Sequence, residues 1–340
     1  MENDHGAYCY TLRPGECTVS YQPFSRRSKV TVMDPDQLST DYMDNKRPIQ
    51  FENNAHKDKF SIASARKMKQ RIQILTAVVP KPKYFKGPLQ MTGRLCLAFA
   101  TFTLASSQVH SDQLIKHEIL NPFLKCVQRR YGIISYIWRA EKQANGNLHL
   151  HIIWDRYIAW AILVKTWNYF QNKLGYVDRY SINQKEFYKN GFRLRSGWSN
   201  CNTAEKQKIA YLKGKACGWC SPPSVNVQSL KTVISIISYL TKYMMKPSDA
   251  GSVSGRLWGC SSNLVNAKGS QGFAEGSVAD ELSTLEKMSG STVYKGDYYY
   301  VIHFNPKLLT PGLFPLLASD WLSWAVAHFP IYFPPDLINT

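Results

Sequence analysis

Apolar positions along the chain change period several times, and each change marks an element. Leu95-Cys-Leu-Ala-Phe-Ala-Thr-Phe-Thr-Leu104 is a compact apolar run bounded by Gly93 and Ser106-Ser107, which predicts a buried strand. Next, Ser111-Asp112 can cap a helix whose stripe of Leu114, Ile115, Ile119, Phe123, Leu124 and Val127 ends near Tyr131-Gly132, with Pro122 expected to kink or split it. Two strands follow, residues 133–141 and 147–154, joined by a short turn, and then a Trp- and Leu-rich helix over about residues 158–174. Strand, helix, hairpin, helix is the order of a ferredoxin-like unit, so the expected class is α+β with a central antiparallel sheet flanked by helices.

On either side the period weakens. Residues 1–58 mix Asp, Asn, Ser, Thr and Pro with isolated aromatics, and are expected to form an extended or partly disordered arm. In residues 61–79, Ile62, Ala65, Met68, Ile72 and Leu75 predict a basic amphipathic helix with Arg66, Lys67, Lys69 and Arg71 on its solvent side, a candidate DNA-facing surface. Residues 176–228 are polar, aromatic and punctuated by Gly and Pro, which reads as an irregular insertion holding a strand or short helix. A helix over residues 231–245 closes the unit at Pro247. Residues 248–292 are rich in Gly and Ser, and a short strand, 298–304, precedes the C-terminal tail. The expected division is an arm over 1–58, one domain over 59–260, and a linker with a C-terminal extension over 261–340. The apolar stretch 313–333 is broken by Pro315, Asp320, His328 and Pro330, so a packed helix is expected there rather than a membrane span.

Charge narrows the partners. The chain has 42 Lys and Arg against 24 Asp and Glu, a formal charge of +18 spread along its length. That favours a polyanion, because each neutralised phosphate releases counterions. Met1-Glu-Asn-Asp-His-Gly6 has neither a basic nor an apolar leader region, so a reducing, cytoplasmic setting is the expectation. Eight cysteines at irregular spacing do not suggest a disulfide framework. Cys217-Gly-Trp-Cys220 would hold a structural zinc only with two further ligands, and Cys201 and Cys260 are nearby without recognised spacing, so free thiols are expected. With no Gly-x-x-x-x-Gly-Lys-Ser/Thr loop, no fused helicase is expected.

Two constellations carry chemistry. Strand alternation turns His149 and His151 to one face and Leu148, Leu150 and Ile152 to the other. Glu141 on the preceding strand is the obvious third ligand, and register decides whether it can serve. A two-residue Asn145-Gly146 turn would set Glu141 opposite Leu150, on the wrong face, whereas a three-residue Ala144-Asn145-Gly146 loop with Gly146 left-handed would set it opposite His149. The three-residue loop is therefore expected. Two histidines and a carboxylate could also hold zinc or a redox iron, and two strand histidines alone are as readily structural. On the later helix, Tyr239, Lys242, Tyr243 and Lys246 share an arc of roughly 100° beside an apolar arc of Val233, Ile236, Ile237, Leu240 and Met244. By itself this is a solvated face.

Together, Phe102-Thr-Leu104, Glu141 eight residues before His149-Leu-His151, and Tyr239-Leu-Thr-Lys-Tyr-Met-Met-Lys246 resemble the HUH endonucleases, specifically the rolling-circle replication initiator (Rep) proteins of phages, plasmids and small circular DNA genomes. The tyrosines four apart resemble the two-tyrosine branch, and Gly255-Arg-Leu-Trp-Gly-Cys260 is similar to a segment of its bacterial members. The resemblance spans about residues 95–260 and implies the HUH palm. It implies that His149, His151 and Glu141 hold Mg²⁺ or Mn²⁺, and that Tyr239 and Tyr243 are nucleophiles leaving a 5′-phosphotyrosine and a free 3′-OH. Lys242 and Lys246 would neutralise phosphate charge or ease loss of the phenol proton, whose ordinary pKa is about 10. Both Tyr239/Lys242 and Tyr243/Lys246 satisfy the Tyr-x-x-Lys motif of one-tyrosine relatives, so Tyr243 is either a second nucleophile or a supporting residue, and Tyr239 is preferred as the essential one. The implied function is metal-dependent nicking and rejoining of single-stranded origin DNA, with host helicase and DNA polymerase as partners and no membrane. A transposase or relaxase with the same chemistry, and a non-catalytic basic DNA-binding regulator, are the alternatives.

Overall fold

The structure, a computed structural model, describes residues 6–23, 61–80, 92–195, 203–229 and 252–333. They fall into two compact units: residues 6–23 with 268–333, and the described residues between 61 and 267. The first unit begins with β1 (Gly6–Arg13) and β2 (Glu16–Pro23), an antiparallel hairpin closed by Pro14-Gly15. Proline presets φ at the first turn position, and Gly15, at φ +83°, supplies the positive φ that follows. Strands here depart from the expected extended arm. Tyr10, Leu12, Cys17 and Val19 do alternate inward, but the period lasts only a few residues on each side of the turn.

The second unit opens with α1 (Ile62–Val78), capped by the Ser61 hydroxyl accepting from the Ser64 N–H at 3.1 Å. Met68, Ile72 and Leu75 are buried as the periodicity requires, while Ile62 is exposed. Arg71 is not on a solvated face. Its guanidinium donates to the carbonyls of Val265 and Ala267, at the end of a short helix, Ser262–Asn266, where helical carbonyls lack intrahelical partners.

After β3 (Leu95–Thr103), the segments Asp112–Ile115, Lys116–Leu120 and Asn121–Tyr131 run on as one helix, α2, whose middle turn is of π type. Pro122 therefore does not split it. The wider turn, in which the Asn121 N–H reaches back to the Lys116 carbonyl, ends just before the proline, which then stands in the first turn of the next segment. Then come β4 (Tyr136–Lys142), β5 (Leu148–Arg156), α3 (Trp160–Asn172), α4 (Tyr176–Phe187), α5 (Ala204–Ala216), β6 (Val225–Ser229) and β7 (Trp258–Cys260). The stretch read as an irregular insertion thus holds two regular helices. α5 buries only Gln207, so it had no apolar stripe to read.

The sheet order is β6-β3-β5-β4-β7, antiparallel throughout. One face is apolar: Ala98, Ala100 and Phe102 of β3 with Leu148, Leu150, Ile152 and Trp154 of β5 pack with residues of α2 and α3. Phe102 sits at its centre, its ring centroid 5.0 Å from those of both Phe123 and Trp167. Burial of this kind is worth about 1.5–3 kcal/mol per large side chain, so the core fixes the sheet firmly enough for its other face to carry polar groups.

The first unit resumes with β8 (Ser270–Phe273), α6 (Gly276–Lys287), β9 (Thr292–Lys295), β10 (Tyr299–His303) and α7 (Pro315–His328). Its sheet order is β8-β1-β2-β10-β9. The expected Gly/Ser-rich linker is therefore structured, since β7, β8 and α6 all fall within residues 248–292; its glycines sit in turns and close approaches. Gly272, for instance, lies over the Tyr10 ring, where a Cβ would come within 2.8 Å of it. β10 and α7 match the expected strand and C-terminal helix. Among the described residues no helix is long and apolar enough to cross a membrane.

Candidate metal centre

The hairpin β4–β5 builds the site. Glu141 stands opposite His149, Ala140 opposite Leu150 and Arg139 opposite His151. The Gln143 N–H donates to the Asn147 carbonyl at 2.9 Å, and the Gly146 N–H to the Gln143 carbonyl at 2.8 Å, which leaves Ala144-Asn145-Gly146 as a three-residue loop. Gly146 has φ +80°. A Cβ there would meet nothing within 4 Å, so the requirement for glycine is conformational and not steric. This is the parity that puts Glu141 and both histidines on one face. The loop is also tied down: the Asn147 amide donates to the Ser106 carbonyl at 3.0 Å and accepts from the Gln108 N–H at 2.8 Å.

Glu141, His149 and His151 each offer a ligand atom, and these atoms lie within 4.8 Å of one another. His151 Nε2 is 2.8 Å from Glu141 Oε1. The two imidazoles meet edge to face, with centroids 4.5 Å apart, and the Phe99 ring stacks on His151 at 5.6 Å. Thr103 and Thr101 of β3 stand opposite His149 and His151 from the other side.

Electrostatics prepare the groups for a cation. Burial first, and then the neighbouring His151, push His149 down to about 4, against the pull of Glu141. Burial raises Glu141, but its hydrogen bond to His151 and the charges of His151, Arg139 and His149 outweigh it and hold the carboxyl below its usual range. At neutral pH the set therefore includes a neutral His149 imidazole and an ionised carboxylate, the forms that bind a metal. His149 Nδ1 is buried without a hydrogen-bond partner among the described residues. An orphaned ring nitrogen beside an ionised carboxylate and a second imidazole fits a divalent cation with mixed nitrogen and oxygen donors.

Arg139 was missed by the sequence reading. It is buried at 2% exposure opposite His151, with its pKa pushed down by burial and Glu141 acting the other way. Its position two residues before Glu141, hence on the same strand face, was the available signal. The Leu-Trp-Gly-Cys segment also gains a reason. β7 pairs with β4, and a Cβ on Gly259 would lie 2.8 Å from the Trp138 indole nitrogen, so glycine lets this edge strand close over the ring.

Tyr239, Lys242, Tyr243 and Lys246 lie outside the described residues, as does Cys201. Cys217 and Cys220 are exposed free thiols, and among the described residues neither joins a group of three or more potential metal ligands.

No curated protein and no solved structure matches the chain. Residues 97–248, which run from β3 through the triad and include Tyr239 to Lys246, match the family of the replication-associated protein ORF2, and over that stretch the chain is similar to replication-associated proteins.

Proposed function

We propose that this protein is a replication initiator that nicks single-stranded origin DNA through a tyrosine and later rejoins the strand. The observation that carries this reading is the hairpin register, which gathers Glu141, His149 and His151 on one strand face inside the stretch similar to replication-associated proteins. A divalent Mg²⁺ or Mn²⁺ held there supplies Lewis acidity toward the scissile phosphate and a template for its orientation. Glu141 and the two imidazoles hold it, and Arg139 keeps positive charge near the carboxylate, favouring its ionised form.

The Tyr239 phenolic oxygen attacks phosphorus, and the bond from phosphorus to the 3′ oxygen breaks. The phenol gives up its proton as the new bond forms, and the departing 3′ oxygen takes one up. The products are a 5′-phosphotyrosine and a free 3′-OH. One phosphodiester has replaced another, so rejoining by attack of a 3′-OH on the phosphotyrosine needs no nucleotide energy. Tyr243 serves as the second nucleophile, and Lys242 and Lys246 offset phosphate charge. Unwinding and copying fall to a host helicase and DNA polymerase.

The test is incubation with single-stranded oligonucleotides from the origin region and Mn²⁺, followed by a denaturing gel. A slower-migrating covalent adduct is expected, absent from a Tyr239→Phe/Tyr243→Phe variant. An adduct that survives the double substitution would sink the tyrosine mechanism.

A further inference from the structure

A cleft of about 830 Å³ opens between the hairpin loop, the segment after β3 and α4 with the turn that follows it. Its size is within the range of sites that enclose small organic ligands. Its lining is polar and aromatic: Ser106, Asn145, Tyr180, Asn183, Phe187 and Arg193 all contribute. The Arg193 guanidinium lies 3.9 Å from the centre of the Phe187 ring, on which a second guanidinium, that of Arg195, also rests at 4.2 Å. Arg195 is further engaged, donating to Gln184 Oε1 at 2.8 Å. Arg193 is exposed, so its aromatic support fixes the planar cation while leaving it open to a ligand. At the other wall the Asn145 carbonyl oxygen accepts from the Asn147 N–H, which leaves its amide donors to face the cleft, and the Asn183 amide is exposed on α4. Ser106, at 9% exposure, has a hydroxyl without a hydrogen-bond partner among the described residues.

Planar cation, phenol and paired amides are the groups that bind an unstacked nucleobase and its phosphate. The position suits that ligand. Asn147, in the cleft wall, precedes His149 by two residues, and at a strand rise of about 3.3 Å per residue it lies roughly 7 Å along the chain from the triad. A strand whose phosphate sits at the triad can place an adjoining nucleotide there.

We propose that this cleft binds the base of a nucleotide close to the scissile phosphate, with Arg193 on its phosphate or ring and the amides of Asn145 and Asn183 on its edge. The proposal rests on the DNA-nicking reading above, and its test separates the two. Single-stranded oligonucleotides tiling the DNA beside the gene, each with one abasic position, are titrated against the full chain in EDTA, so that binding is read without cleavage. Wild-type protein is expected to lose about tenfold in affinity at one abasic position, the effect of losing one recognised base. Arg193→Ala and Asn183→Ala, both exposed substitutions on separate segments, are expected to lose affinity for the intact strand and to lose nothing further at that position. Strictly additive losses, or variants that bind every strand as the wild type does, would overturn the subsite. Adduct formation with Mn²⁺ is scored on the same strands: coupling without an adduct keeps the subsite and removes the tyrosine chemistry, and an adduct without coupling does the reverse.

Discussion

Both units carry a five-stranded antiparallel sheet, and they differ in what the sheet buries and in charge. The sheet of residues 6–23 and 268–303 buries Tyr10, Leu12, Cys17, Val19 and Ile302 with Leu282, Leu285 and Leu317 of its helices. The other has a comparable apolar face, and on its reverse it buries Arg139 and His151 beside half-buried Glu141 and His149. Burying ionisable groups costs several kcal/mol unless they are paired or bind an ion, so the second sheet bears a cost the first avoids. Charge divides the same way. Described residues of the triad-bearing unit hold 24 Lys and Arg against 7 Asp and Glu, and those of the other hold 5 against 7. The excess that favours a polyanion thus accompanies the metal-ligating face, and the second unit has no comparable electrostatic reason to bind DNA.

The largest effect should come from the ligands. His149→Ala/His151→Ala is expected to cut nicking about a thousandfold, the scale of several kcal/mol of transition-state stabilisation, with circular dichroism unchanged. His303→Ala/His328→Ala, in the other unit, should nick at the wild-type rate; equal losses in both would erase the distinction.

Charge reversal sharpens the electrostatic half of the comparison. Lys206, Lys208, Lys213 and Lys215, all on α5, changed together to Glu should weaken single-strand binding at least tenfold at low salt. The salt slope should become shallower by about 0.7 for each lost phosphate contact. The same reversal at Lys268, Lys287, Lys295 and Lys307 should move neither quantity in a fluorescence anisotropy titration.

Two glycines give a smaller, matched test. Gly146 and Gly290 have φ of +80° and +87°, and a Cβ at either meets nothing within 4 Å. Alanine at each is expected to cost about 1–2 kcal/mol in urea unfolding, from backbone strain alone. Only Gly146→Ala should also weaken Mn²⁺ binding, because only that turn sets the register of the ligands.

The smallest effect concerns thiol reactivity. Cys17 is buried and its thiol is pushed up to about 12, with burial the main cause. A raised pKa keeps the proton on, so at pH 8 only about one thiol in ten thousand is ionised there. Alkylation of the native protein followed by mass spectrometry should mark exposed Cys217 and Cys220 well before Cys17.

What the sequence revealed follows the strength of its local periods. β3, α2, the hairpin and α3 were legible because each carries a long apolar stripe or run, and the triad was legible because strand parity leaves two registers to choose between, with Gly146 as the residue that can take the left-handed turn. β1 and β2 were hidden because their sheet neighbours, β8 and β10, come from the far end of the chain, and no local window contains that pairing. α5 was hidden by its uniform lysine-rich surface. Arg71 and Arg139 look like solvated charges in sequence and are not, because their partners lie on other segments: two helix-end carbonyls for one, and the Glu141 and His151 face for the other. The cleft beside the hairpin likewise depends on distant segments meeting, and nothing in the spacing of Arg193 and Asn145 announces it.

The central claim is that one strand face binds a divalent cation through Glu141, His149 and His151. Its most direct test is electron paramagnetic resonance of Mn²⁺ titrated into protein labelled with ¹⁵N-histidine. The expected result is one bound Mn²⁺ per chain with hyperfine coupling to two imidazole nitrogens, lost in His149→Ala/His151→Ala and weakened in Glu141→Gln. Binding without nitrogen coupling, or coupling that persists in the double histidine variant, would contradict it.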